Sequence, residues 1–294
     1  MSVLSIRGLS KSYGKITALH DLSMEIEAGK VYGLLGPNGS GKTTTLGIIL
    51  GILKADEGDY EWFDGKYGDY HRKKIGAILE TPNFYPYKNA IDNLKIISHI
   101  KGIKQDNYDK VLDLVNLSHR KRSAFRTYSL GMKQRLAIAA TMIGEPEVVI
   151  FDEPTNGLDP QGISEVRNTL TQIADSGKTV ILASHILDEV EKICSDVAII
   201  KNGKMLAIGP VGSILSSDLY IELVATDLDK LKALLSSVTW VRDLRLDKGI
   251  LQGTMAPSHC ISEVNRMAFD HGITLTHMVA RRQRLEEEFL EITK

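Results

Sequence analysis

The run Gly36-Pro37-Asn38-Gly39-Ser40-Gly41-Lys42-Thr43-Thr44 fits the pattern G-x-x-x-x-G-K-[ST] of a phosphate-binding loop. Glycines let successive backbone N–H groups curl inward around phosphate oxygens with no Cβ in the way. Lys42 would bring a positive charge to the β and γ phosphates, and the Thr43 hydroxyl suits a Mg²⁺ ligand. A second group is Asp152-Glu153, at the end of the apolar run Val148-Val149-Ile150-Phe151. One carboxylate at the end of a neighbouring strand can hold Mg²⁺, directly or through water, and the other can polarise a water for in-line attack on the γ phosphate. A third group is Tyr128-Ser129-Leu130-Gly131-Met132-Lys133-Gln134-Arg135. Ser129 and Gly131 open a predicted helix, so hydroxyl, backbone N–H groups and helix dipole all face one way, which makes an anion site. This site is expected to lie too far from its own phosphate loop to share a phosphate with it, and so to serve another chain.

The elements that must carry these groups are legible as hydrophobic periodicity. Val31 to Leu35 is short and apolar and reads as a buried strand, while Leu46, Ile49, Leu50 and Leu53 recur at helical spacing, so the loop sits between strand and helix. Val3 to Leu9 and Leu19 to Ile26 read as strands with a turn-rich loop over residues 10–15 between them. Gly58 to Gly65 is aromatic and ends in Asp64-Gly65, a hairpin-like signal, and Ile75 to Leu79 is a further apolar strand. The pattern then turns helical over Asn89 to Lys101, Asn107 to Leu117 and Leu130 to Ile143, a helical insert over about residues 89–145. Strand and helix alternate again through Val148 to Phe151, a helix opened by Pro160 and closed at Gly177, Thr179 to Ala183, and a helix marked by Leu187, Val190 and Ile193. A hairpin around Asn202-Gly203 follows. A boundary falls over residues 209–217. Beyond it the order strand, helix, strand, strand, helix, strand is that of a ferredoxin-like fold, followed by a charged helix from Arg284 to Ile292 with a solvated face.

Length and composition bound the reading. The chain has 294 residues, enough for one large domain or two modest ones. Lys and Arg number 36 against 37 Asp and Glu, a balance with no global pull toward nucleic acid or anionic lipid. The two cysteines, Cys194 and Cys260, stand far apart, which excludes a disulfide framework and fits a reducing compartment. No stretch approaches the ~18 apolar residues of a membrane span, and the N-terminus lacks the pattern of a signal peptide. The expectation is a cytosolic chain whose membrane role, if any, comes through a partner.

Together these pieces resemble the ATP-binding cassette ATPases, the motor subunits of ABC transporters, over about residues 1–215. The resemblance adds roles that spacing alone does not. Tyr13 matches the aromatic that stacks on adenine, and Gly36 to Thr44 match the nucleotide-binding loop. Ser129, Leu130, Gly131 and Met132 match the signature that reaches the nucleotide of a partner chain. Asp152 and Glu153 match the Mg²⁺ and catalytic-base acids, Gly157-Leu158-Asp159 matches the D-loop, and His185 matches the switch histidine near the γ phosphate. Two departures stand out. Tyr128, Leu130 and Met132 replace a Leu, a Gly and a Gln of the usual signature, although Ser129 and Gly131 keep its hydroxyl and small residue. Glu80 stands where the family has a Gln; it can contact Mg²⁺ or water but adds negative charge near the triphosphate. The stretch from Ile75 to Pro86, and an extension ending in Leu285-Glu286-Glu287-Glu288-Phe289-Leu290, are similar to bacterial exporters of the bacitracin and lantibiotic type.

The resemblance implies an α/β fold: a P-loop ABC nucleotide-binding domain over 1–215, with a mixed sheet core, an antiparallel β part and a helical subdomain, then a small α+β accessory domain over 216–294. It implies ATP and Mg²⁺ as ligands, catalytic roles for Glu153, His185 and Glu80, and metal contacts from Thr43, Asp152 and Glu80. It implies a homodimer, or a pair with another ABC ATPase, sandwiching two nucleotides and driving a separate integral membrane permease at the inner face of the cell membrane, with export of antimicrobial peptides or drugs as the narrower expectation. No nucleic acid is expected. The rival is a non-transport ABC ATPase acting on DNA or ribosomes. The interval from Lys42 to Ser129 is too short for the long coiled coil of genome-maintenance types, and ribosome-bound types usually carry two cassettes. A plain P-loop kinase leaves the signature and His185 without a purpose. The accessory domain is open to regulation, dimerisation or decoration, and the cargo is not written in the chain.

Overall fold

The computed structural model describes residues 2–79, 82–103, 107–214, 219–256 and 258–282. The chain divides after Val211 into two units. In the first, β1 (Ser2–Tyr13) and β2 (Ile16–Glu27) form a hairpin, and β3 (Val31–Leu35) leads through the glycine-rich loop into α1 (Lys42–Ile49). Then come β4 (Glu57–Trp62), two 3₁₀ turns and β5 (Ile75–Ile78), followed by three helices, α2 (Ala90–Ile100), α3 (Tyr108–Leu114) and α4 (Leu130–Thr141). The unit continues with β6 (Val148–Asp152), α5 (Pro160–Asp175), β7 (Thr179–Ser184), α6 (Leu187–Ile193), β8 (Asp196–Lys201) and β9 (Lys204–Pro210).

Two sheets result. One is antiparallel, in the order β2-β1-β4. The other has the order β5-β6-β7-β3-β8-β9, parallel except for β9. Its central strands β3, β6 and β7 are buried at every residue, which is why their sequences are continuous apolar runs and not alternating ones. Leu4, Leu9 and Leu22 of the antiparallel sheet share one core with Leu46 and Ile49 of α1 and with Ile150 and Ile181 of the parallel sheet. Trp62 seals it, its indole N–H donating to Ile49 O at 2.7 Å.

Three local expectations change. Residues 10–13 are strand, not loop, because bulged pairing carries the hairpin on to Tyr13 opposite Ile16, with only Gly14 and Lys15 left to turn. Asp56 fixes this end, accepting from the Ser12 N–H at 2.7 Å and from Lys11 at 2.7 Å. Asp64-Gly65 closes no hairpin. Phe63 and Asp64 both take positive φ, Phe63 is buried, and the chain runs on through 3₁₀ turns into β5 of the other sheet. α3 stops at Leu114, short of Leu117, because Asn116 enters the left-handed region at φ 52°.

The short α7 (Val211–Ile214) stands at the division. The second unit holds β10 (Leu219–Ala225), α8 (Leu228–Ser236), β11 (Val241–Asp247), β12 (Ile250–Met255), α9 (Ile261–Asp270) and β13 (Leu275–Arg282). Its sheet is antiparallel throughout, in the order β11-β12-β10-β13. Ile221, Leu223 and Leu251 of the sheet meet Leu231 and Leu235 of α8 and Val264 and Ala268 of α9 in a separate core. The charged helix expected from Arg284 to Ile292 lies outside the described residues. Among the described residues no helix is long and apolar enough to cross a membrane.

Candidate functional site

Three neighbouring parallel strands deliver their C-terminal ends to one edge. Leu35 of β3 pairs with Ser184 of β7, and Asp152 of β6 pairs with Ala183 of β7. The glycine-rich loop, Asp152-Glu153 and His185 therefore converge, in the crevice where open α/β sheets bind ligands. Ile78 of β5 pairs with Phe151 at the same edge. Glu80, two residues on, lies outside the described residues.

The loop is held from both sides. A Cβ on Gly36 would fall 2.2 Å from Ile200 O, so only glycine lets the backbone pass there. Gly41, at φ 112°, ends the loop in a conformation that disfavours side chains and starts α1. Asn202-Gly203 forms the turn of the predicted hairpin and does more than turn the chain, for Gly203 donates its N–H to Ser40 O at 2.8 Å and accepts from His20 N at 2.8 Å. Nothing in the dipeptide signalled this buttress, since the contact joins segments far apart in sequence.

Lys42 is almost wholly buried; its ammonium donates to Gly36 O at 2.7 Å and lies 3.2 Å from Glu153 Oε1. Thr43 donates its hydroxyl to Asp152 Oδ2 at 2.8 Å. Glu153 takes φ 48°, a backbone conformation that costs a non-glycine residue on the order of 1 kcal/mol and collects at functional sites. Its N–H donates to Ala183 O at 2.9 Å, and its Oε2 lies 2.7 Å from His185 Nδ1. Lys42, Glu153 and His185 thus form one chain of contacts, beside the Thr43–Asp152 pair. Among the described residues no cluster of three or more His, Cys, Asp or Glu side chains is able to hold a metal. A cation here would take the Thr43 hydroxyl and the Asp152 carboxylate, both hard oxygen donors, and draw its remaining ligands from phosphate and water, as Mg²⁺ does.

Ser129 and Asp159 form a second grouping. Ser129 caps α4, accepting from Met132 N at 3.3 Å, and Asp159 caps α5, accepting from Gly162 N at 2.8 Å. The two helix starts abut: a Cβ on Gly157 would meet Leu130 Cδ2 at 3.5 Å, and one on Gly131 would meet Gly162 Cα at 3.8 Å. Ser129 and Leu130 are exposed, Gly131 and Met132 half-buried. Tyr128, by contrast, is buried, donates its hydroxyl to Arg120 O at 2.8 Å and lies tilted at 50° to Phe125, ring centres 6.0 Å apart. Burial pushes its hydroxyl pKa up. The unusual Tyr therefore packs inward beside the helix start and leaves the exposed positions Ser129 and Leu130 alone. Tyr13 stands at the tip of the β1–β2 hairpin, 47% exposed, with Lys11 Nζ 5.7 Å from its ring centre.

Arg135 closes the third sequence group, where its type signalled no role of its own, and it ties this grouping together. Its side chain is buried, lies 3.0 Å from Glu165 of α5, and donates to Val115 O at 2.9 Å and Asn116 O at 3.1 Å at the end of α3. Arg135→Ala is expected to destabilise the first unit by about 2 kcal/mol, the low side for a buried pair because Glu165 is one-third exposed and regains water. Urea unfolding of the full chain checks this; an unchanged midpoint would mean the cross-link adds nothing.

The approach to α2 is similarly pinned. Buried Asn93 accepts from Tyr85 N at 2.9 Å and donates to Asn89 O at 3.0 Å, and Phe84 packs edge-on against Phe125 at 5.1 Å. Tyr85 and Tyr87 are left exposed, beside a cavity of about 320 Å³ lined by Leu79, Phe84, Ile97, Ala137 and Thr141 among others.

A family profile described as ABC transporter matches residues 19–156. The bacitracin transport ATP-binding protein BcrA of Enterococcus faecalis is 33% identical over 296 residues, covering 99% of this chain and 96% of its own. The lantibiotic transport ATP-binding protein SrtF of Streptococcus pyogenes is 39% identical over 204 residues, 69% of this chain and 89% of its own. The solved structure of cbiO1 from Clostridium perfringens, described as part of the ABC transporter complex cbiONQ, is 29% identical with a TM-score of 0.63, covering 71% of this chain and 88% of that one. Similarity of this extent, across the phosphate loop and nearly the whole length of a relative, carries family membership with it: the chain belongs to the ATP-binding proteins of ABC transporters, the ATPases of those systems.

Proposed function

We propose that this chain is the ATP-hydrolysing subunit of a bacterial ABC exporter and that it works as a dimer around two Mg²⁺–ATP. The observation that carries the catalytic part is the strand-edge cluster. Lys42 and the loop N–H groups bind the phosphates, and Thr43 and Asp152 would hold Mg²⁺, which when bound would neutralise charge developing on the β and γ phosphates as ADP leaves. Glu153 acts as the base toward the attacking water, and His185 orients Glu153 and faces the γ phosphate. Glu80, by its match to the family's Gln in sequence, would contact Mg²⁺ or water, and Tyr13 offers a ring to adenine. Ser129, Leu130 and Gly131 present their N–H groups and hydroxyl to the nucleotide of the partner, with Met132, whose N–H holds the Ser129 hydroxyl in place, and Asp159 at the same interface. ATP closes the pair because its γ phosphate makes contacts that ADP lacks.

The export reading draws on the bacitracin and lantibiotic relatives, and the permease reading on cbiO1, described as part of a transporter complex. The exposed aromatics Tyr85, whose backbone Asn93 pins from within, and Tyr87 are the proposed docking surface for a membrane permease. The chain itself would then be cytoplasmic and peripheral. Residues 1–215 form the ATPase part, with a helical subdomain over about 89–145, and 216–294 form a ferredoxin-like accessory domain; the strand order of the second unit supports that reading.

Tagged full-length chain recovered from detergent-solubilised membranes should bring an integral membrane protein with it. The purified chain should hydrolyse ATP only with Mg²⁺, and chelation with EDTA should abolish turnover. Recovery with ribosomes or nucleic acid, and no membrane protein, would favour the non-transport reading instead.

A further inference from the structure

We propose that Ser184 and Glu189 are positioning residues for His185, acting through a buried hydrogen-bonded relay that touches neither nucleotide nor metal. Ser184 is the last residue of β7 and Glu189 lies on α6, and both side chains are buried, at 0% and 1% exposure. The Ser184 hydroxyl donates to Glu189 Oε2 at 3.1 Å and accepts from Ile186 N at 3.0 Å. The relay therefore grips the backbone on both sides of His185. The Ser184 carbonyl in turn accepts from Gly36 N at 3.4 Å, which ties the same residue to the first glycine of the phosphate loop. His185 itself is exposed, and its Nδ1 meets Glu153 Oε2 at 2.7 Å.

The cost of this arrangement argues for its purpose. Burying a carboxyl in a protein interior is unfavourable unless it is well partnered, and Glu189 Oε1 has no hydrogen-bond partner among the described residues. An apolar residue at 189 would serve packing between α6 and β3 as well as its neighbour Val190 does, whose methyls fill the space beside Gly33. What the carboxyl alone supplies is an acceptor that fixes the Ser184 rotamer, and that rotamer fixes the turn carrying His185. Reacting groups misplaced by as little as 1 Å can lose about 10² in rate, so a relay of this kind matters to turnover more than to binding.

The proposal rests on the reading of His185 and Glu153 given above, and its test separates the two. The probe is Mg²⁺–ATP with the purified full chain, with thermal melting as the folding control. Ser184→Ala and Glu189→Ala should lower kcat about ten- to hundredfold while KM for ATP stays within about twofold. Glu189→Gln keeps an acceptor oxygen and should recover most of the rate lost in Glu189→Ala. Adding Ser184→Ala to His185→Ala should cost no further rate, because the relay acts only through the histidine. Should Glu189→Ala fail to fold, Ser184→Ala, which removes one oxygen, carries the test. Rates within twofold of the parent for Ser184→Ala, or a loss that multiplies with that of His185→Ala, would overturn the relay while leaving the role of His185 intact. A His185→Ala chain as fast as the parent would overturn both.

Discussion

Glu153→Gln is expected to slow ATP turnover by about 10²–10⁴-fold, the usual contribution of a positioned general base, while ATP binding survives. Glutamine keeps the size and an acceptor oxygen, so the contact with His185 Nδ1, 2.7 Å in the parent, can persist, but the amide cannot take a proton from water. It also removes the negative charge 3.2 Å from the Lys42 ammonium, which frees that lysine for phosphate and should favour the bound state. The variant should therefore accumulate ATP-loaded dimers. Single-turnover hydrolysis and nucleotide binding on the same preparation check both halves, and size-exclusion chromatography with ATP checks the dimer. Near-parental turnover would remove Glu153 from the role of base. Lys42→Ala should behave differently. It deletes the buried cation where the loop enters α1 and leaves Glu153 facing the phosphates, so nucleotide binding itself should fall.

Mixing Lys42→Ala with Ser129→Arg should restore hydrolysis that neither variant has alone. Lys42 opens α1 at the sheet edge, whereas Ser129 opens α4 and is exposed together with Leu130. If each ATP lies between one chain's loop and the other's signature, a mixed dimer pairs the intact loop of the Ser129→Arg chain with the intact signature of the Lys42→Ala chain. The other site carries both defects. Random exchange in a two-chain assembly gives about half mixed dimers, each with one repaired site, so about a quarter of parental activity is expected when the sites fire independently. ATP-dependent cross-linking follows mixed-dimer formation separately, which covers sites that must fire together. Proven exchange with neither recovered hydrolysis nor a mixed dimer would mean that each chain keeps its nucleotide to itself.

The sequence alone determined whatever is local. The strand–loop–helix around Lys42 follows from apolar runs and glycines, the caps of α2, α4 and α5 from Asn89, Ser129 and Asp159, and the Asn202-Gly203 turn from its dipeptide. It also supplied the order of motifs on which the family resemblance rests. Tertiary structure decided what depends on segments distant in sequence. The exchange of Asp64-Gly65 from hairpin to 3₁₀ turn follows from burial of Phe63, which no local pattern records. The Lys42–Glu153–His185 contacts join side chains that parallel strand pairing brings to one edge, the Gly203 buttress and the Arg135 cross-link join turns and helices far apart in sequence, and the Ser184–Glu189 relay, only five residues long, forms because α6 folds back beside β7. Parallel strands are linked only through long crossovers, so residues that meet at their shared edge come from opposite ends of the first unit. Their types could be read from the chain, but their partners had to wait for the sheet.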